Sequence, residues 1–88
     1  MSNLEEAKSR CEYASKLLTE NNIPHAIKNA EIGHINIFYF NKCVMSFWAR
    51  TGKIIFTCSI EDIKYPLDEE DRGINTLIKV YKKNFEED

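Results

Sequence analysis

Leu4, Ala7, Cys11, Ala14 and Leu18 recur at alternating steps of three and four, the spacing that lays one apolar stripe along an α-helix. The other side carries Glu5, Glu6, Ser9, Glu12 and Lys16, and the pairs Glu5–Lys8, Glu6–Arg10 and Glu12–Lys16 set acid before base at helical distance. Ser2 with Glu5 has the form of a capping box, while Asn21-Asn22 stops the segment and Pro24 cannot continue it. A helix over residues 3–20 is expected.

From residue 34 the period changes. HINIFYFNKCVMSFWARTGKIIFTC, residues 34–58, crowds apolar and aromatic side chains into three short runs broken at Asn41-Lys42 and Thr51-Gly52, the pattern of an antiparallel meander. Ile23 to Lys28 reads as a short edge strand, where Pro24 at its start does little harm. A two-residue turn on Asn41-Lys42 sets Tyr39 opposite Val44 and Ile35 opposite Trp48. One face of that hairpin holds Ile35, Ile37, Tyr39, Val44 and Trp48; the other holds Phe38, Phe40, Met45 and Phe47 with His34 and Asn36. With both faces apolar, helices are expected over one, and a partner subunit or a ligand over the other.

Ser59-Ile60-Glu61-Asp62 has the form of a capped helical turn, and Pro66 with the acids from Asp68 to Asp71 reads as a surface loop. A last helix begins near Arg72-Gly73, with Ile74, Leu77, Ile78, Tyr81 and Phe85 on one face. Strands grouped between terminal helices predict an α+β fold in one domain over residues 1–88: helix, three- to four-stranded antiparallel meander, helix, both helices on one face of the sheet.

At 88 residues the chain buries only about 60% of its surface on folding, which makes a two-fold homodimer an expected source of further burial. Composition, 43% hydrophobic and 30% charged, is that of a globular chain rather than a disordered one. No apolar run reaches the roughly 20 residues of a membrane span, and MSNLEEAKSR lacks the apolar stretch of a secretory signal, so a cytosolic protein with no membrane partner is expected. Cys11, Cys43 and Cys58 have no CxxC spacing, which points to reduced, buried thiols rather than a zinc site or disulfide framework. A net charge of −2 argues against nonspecific nucleic-acid binding. The double-stranded-RNA-binding domain shares the broad element order, but its function fits poorly with that charge and with a last helix that opens without a lysine cluster.

Thr51-Gly52-Lys53, with Arg50 before it, is a tight turn whose amides and two cations suit an anion, although it lacks the glycine spacing of a P-loop. Arg72-Gly73, at a helix start, is a second anion candidate. The two reinforce each other only if the fold joins them. Trp48 is either core or a stacking platform for a base. His25 and His34 have no partner at ligand spacing, and a satisfied or solvated histidine is expected for each. Asp62-Ile63-Lys64 copies the acid-x-lysine end of a metal-dependent nuclease, with Glu31 as the available second carboxylate, and Cys58 with His34 is the available thiol–imidazole pair. The solvated loop and the chance pairing are the plainer readings.

FWARTGK, within Phe47–Ile54, and RGINTLIK, Arg72–Lys79, resemble small bacteriophage and mobile-element proteins that pair an aromatic-x-x-TGK turn with a closing RGI-x-x-LIK helix. Asp71 stands where related sequences often carry Gly. The resemblance implies a small phage-type accessory protein, many of which counteract host defence without being enzymes. The functional expectation is a noncatalytic inhibitor that captures an anionic ligand such as a signalling nucleotide through Trp48, Arg50, Thr51, Gly52, Lys53, Arg72 and Gly73, with no cofactor and no metal. The alternatives are an anti-CRISPR-like inhibitor that binds a host defence protein directly and, more weakly supported, a small metal-dependent nuclease.

Overall fold

The computed structural model describes residues 3–86; Ser2 of the expected capping box lies outside them. Helix α1 (Asn3–Glu20) leads into a four-stranded antiparallel sheet, β1 (His25–Asn29), β2 (His34–Tyr39), β3 (Lys42–Trp48) and β4 (Lys53–Phe56), followed by a 3₁₀ turn at Ile60–Asp62 and helix α2 (Ile74–Tyr81). A π-helical turn, Lys82–Glu86, extends α2. Strand order is β1-β2-β3-β4, an uninterrupted meander, so the α+β arrangement expected from the sequence is the one found. No helix among the described residues is long and apolar enough to cross a membrane.

Helix α1 stops for a definable reason. Asn22 takes a left-handed conformation at φ 58°, its N–H bonds Thr19 O, and Ile23 N–H reaches back to Leu18 O at 2.9 Å. That is a Schellman motif, completed by its hydrophobic contact, since Ile23 and Leu18 both enter the core. Cys11, Ala14 and Leu18 from α1, and Leu77 and Tyr81 from α2, join Ile35, Ile37, Met45, Phe47 and Ile54 of the sheet in one buried cluster. Both helices therefore lie on the same sheet face.

The β2–β3 turn corrects the expected register. It falls one residue earlier, on Phe40-Asn41, whose φ angles of 48° and 65° are both positive as a type I′ turn requires. Tyr39 pairs with Lys42, a bulge follows at Val44, and Ile37 then pairs with Met45, Ile35 with Phe47 and His34 with Trp48. The hydrophobic pattern dictates this choice, because it sets four large apolar side chains against each other on the helix side and leaves Asn36 opposite Ser46 on the other. The bulge lets consecutive Val44 and Met45 both be buried. Consequently Met45 and Phe47 belong to the core, Trp48 to the opposite face, and Phe40 to neither: it is 84% exposed at the hairpin tip.

The second face is thus less apolar than expected. It carries His34, Asn36 and Phe38 from β2, Cys43, Ser46 and Trp48 from β3, and Lys53 and Ile55 from β4. Among the described residues no helix covers it.

Seventeen residues separate β4 from α2, and one side chain fixes the middle of that connection. Asn84, buried, accepts the N–H groups of Lys64 and Tyr65 at 2.7 and 2.9 Å. Its amide nitrogen donates to Tyr65 O and Val80 O at 3.1 and 3.0 Å. The carboxylate of Asp71 is turned into its own loop, accepting Asp68 N–H at 2.8 Å.

Candidate functional site

The β3–β4 turn and the start of α2 meet. Gly52 donates its N–H to Trp48 O at 2.7 Å and accepts the N–H of Gly73 at 2.8 Å, and Gly73 O in turn receives Leu77 N–H, the first helical bond of α2. Only glycine serves at Gly52: its φ is +80°, and a Cβ there would stand 3.0 Å from Gly73 N. Gly73 caps α2 at φ 94°, ψ 161°, a region open essentially to glycine alone, with no side-chain hydrogen bond to the helix start. The two anion candidates, their glycines 21 residues apart in the chain, are one junction.

Helix α1 brings a third cation to it. Arg10 donates from its guanidinium to Arg50 O at 2.5 Å and pairs with Glu6 at 2.7 Å. Beside it lies a cleft of about 200 Å³ lined by Arg10, Tyr13, Phe47, Gly52, Gly73 and Ile74 among others. The Arg10 guanidinium is its charged end, whereas Tyr13, Phe47 and Ile74 make the rest apolar; Arg50 and Arg72 are exposed and flank Gly52 and Gly73 in the chain without lining the cleft. Arg10 and Tyr13 escape sequence reasoning because they sit on the polar side of a helix remote in sequence from both motifs; Arg10 offers only its i, i+4 pairing with Glu6.

Trp48 and Lys53 part company with the junction. They are opposite each other in the β3–β4 ladder, on the uncovered sheet face, where the Trp48 ring stacks on His34 at 4.6 Å and 7°. Thr51 shapes the turn, its hydroxyl 3.4 Å from Lys53 N. Of the seven expected site residues, Gly52 and Gly73 meet and line the cleft, Arg50 and Arg72 lie beside them in the chain, Thr51 shapes the turn, and Trp48 and Lys53 face away.

The two histidines differ. His25 Nδ1 lies 2.9 Å from Ile23 O, which makes it the protonated nitrogen, so Nε2 accepts the Ser15 hydroxyl at 2.7 Å. This is the satisfied histidine expected, tying α1 to β1. His34 has its Nε2 buried without a hydrogen-bond partner among the described residues. Burial, reinforced by the charge of nearby Lys28, lowers its pKa from the ordinary 6.5.

The remaining candidates separate or are engaged. Asp62 lies in the exposed 3₁₀ turn, which Ser59 caps as expected, and is 3.5 Å from Lys42. No three His, Cys, Asp or Glu residues among those described group as a metal site would need. Cys58 packs toward the core while His34 lies on the opposite face. All three cysteines are free, and burial pushes the Cys11 and Cys58 thiols above the ordinary 9.0, away from the reactive thiolate.

No protein family matches the chain, and no curated protein or solved structure is significantly similar to it.

Proposed function

We propose that the chain is a noncatalytic binding protein that captures an anionic ligand, a signalling nucleotide being the class that fits, where the β3–β4 turn meets the start of α2. The observation that carries the reading is the Gly73-to-Gly52 hydrogen bond at 2.8 Å, which makes one locus of two separate anion motifs. Arg50 and Arg72 beside it supply charge for phosphate, since guanidinium forks match its geometry, whereas Arg10 is already paired with Glu6. The apolar part of the cleft, with Tyr13 59% exposed at its side, suits a base or ribose. A ligand with one charged end and one flat apolar end uses both.

In line with the resemblance to phage proteins, the role proposed for this capture is inhibition of a host defence that signals through such nucleotides. Calorimetry of the purified chain against mononucleotides and cyclic nucleotides tests it. Micromolar or tighter binding that disappears in Arg50→Ala/Arg72→Ala supports the site, and binding that survives the double substitution removes it. The expected two-fold dimer has as its remaining basis Phe38, Trp48 and Ile55 on the uncovered face; light scattering coupled to gel filtration decides it.

A further inference from the structure

The uncovered sheet face differs in character from the rest of the molecule. The chain has net charge −2, yet the residues that the four strands turn to this side by register, Ala26 and Asn29 of β1 and those named above for β2 to β4, include Lys53 and no carboxylate. Lys28, at the bulge of β1, stands near enough to His34 for its charge to be felt by the imidazole. The two lysines therefore flank the face on both edge strands, β1 and β4. Between them, along the two central strands, lie the Trp48–His34 stack and Phe38.

Phe38 is four residues along β2 from His34, about 13 Å at roughly 3.3 Å per residue. Two aromatic positions thus stand apart along the sheet. Ser46 and Asn36, hydrogen-bonded to each other at 3.3 Å, occupy the ground between. Aromatic positions spaced along the sheet, with cations at both margins, match a ligand that repeats a flat ring and an anion along its length; Ser46 itself is buried between them.

We infer that the uncovered face binds single-stranded nucleic acid, its bases stacking on Trp48 and Phe38 and its phosphates running past Lys28 and Lys53. Base-on-aromatic stacking tolerates any sequence, because every base has a π-face. A duplex hides those faces and is not a ligand of this surface. The overall acidic charge does not oppose the interaction: salt screens exposed charges beyond about 8 Å, so the local field is set by the two lysines. This inference rests on the sheet face and not on the arginine junction.

Trp48 is the single tryptophan, so its emission reports directly on the face. The test follows anisotropy of short labelled single-stranded DNA and RNA, with Trp48 emission recorded in the same titrations; the two strands distinguish which nucleic acid is the better ligand. Expected is a dissociation constant of roughly 1–100 µM that weakens with salt, with quenched Trp48. Lys28→Ala and Lys53→Ala each lower the salt slope by about one. Phe38→Ala weakens binding roughly five- to hundredfold in a protein whose circular dichroism is unchanged, and the lysine variants keep the test open if that variant does not fold. Phe38 pairs with Cys43 near the β2–β3 turn, at the end of the strands opposite the junction, so oligonucleotide affinity lost in Phe38→Ala with mononucleotide calorimetry unaltered separates this inference from the proposed function. Absence of single-strand binding, duplex binding of equal strength, an unperturbed Trp48, or a dimer that excludes the strand would each overturn it.

Discussion

Asn84→Ala is the substitution with the largest expected consequence per atom removed. The side chain uses its full capacity, two acceptor positions for the amides of Lys64 and Tyr65 and two donors for Tyr65 O and Val80 O. Alanine leaves those two amides without their acceptor, at on the order of 1–3 kcal/mol each when water is excluded. Lys64 and Tyr65 are themselves exposed, so water recovers part of the loss. A net destabilisation of about 2–3 kcal/mol follows, against a total of about 4–13 kcal/mol for a domain of this length.

Urea unfolding followed by circular dichroism reads this directly: with a slope near 1 kcal/mol per molar, the midpoint should fall by about 2–3 M. Asn84→Asp keeps the two acceptors but sets a buried carboxylate oxygen against Tyr65 O and Val80 O, so at neutral pH its midpoint should fall at least as far as that of Asn84→Ala. Amide exchange adds a local readout, because the N–H groups of Lys64 and Tyr65 should lose protection first. An unchanged midpoint, together with unchanged exchange at those two amides, would show that the connection is held by other contacts and that the Asn84 reasoning is wrong.

Gly52→Ala places a Cβ 3.0 Å from Gly73 N at φ +80°; it should cost about 1–3 kcal/mol in a thermal melt and weaken any ligand of the junction. Phe40→Asn should stabilise the fold by about 1 kcal/mol in urea titration, since Phe40 is 84% exposed and held at φ 48°, where asparagine is better tolerated. His34 has a depressed folded-state pKa, so the unfolded chain binds the proton more readily and stability should fall as pH drops below about 6.5, an effect His34→Gln should reduce. Tyr81, its hydroxyl donating to Phe38 O at 2.8 Å, has its pKa pushed up to about 12 by burial and then by Glu86 and Tyr39. Unfolding frees it to ionise near 10, so stability should decline between about pH 10 and 12, less steeply in Tyr81→Phe.

Element type and order were legible because the periods are clean. The α1 stripe and the Asn21-Asn22 stop carry their own mechanism, and α2 presents Ile74, Leu77, Ile78 and Tyr81 at helical spacing. Register was not legible, because Phe40 and Asn41 share a turn in which asparagine is the ordinary resident and phenylalanine is not. The bulge at Val44 then shifts pairing once more, a tertiary choice made by helices that local alternation does not contain. Arg50, Gly52, Arg72 and Gly73 could be named as candidates from local chemistry. The meeting of the two glycines depends on a loop anchored by Asn84, a residue that reads in sequence as one more polar position near the terminus.

The register difference changes the exposed face as well as the packing. With the turn on Asn41-Lys42, Met45 and Phe47 would look outward, and the second face would be a broad apolar patch whose natural cover is another subunit. With the turn on Phe40-Asn41, those two side chains enter the core, and the outward positions pass to Ser46 and Trp48. The same slip sets Trp48 against His34 rather than Ile35, and places Lys53 beside the pair. A greasy face becomes one with a ring stack, a polar pair and cations at its edges. Phe38, Trp48 and Ile55 stay on this face, so a second copy keeps apolar contacts to make there, while the proposed strand binding draws in addition on Lys28 and Lys53; the salt dependence of each association separates the two.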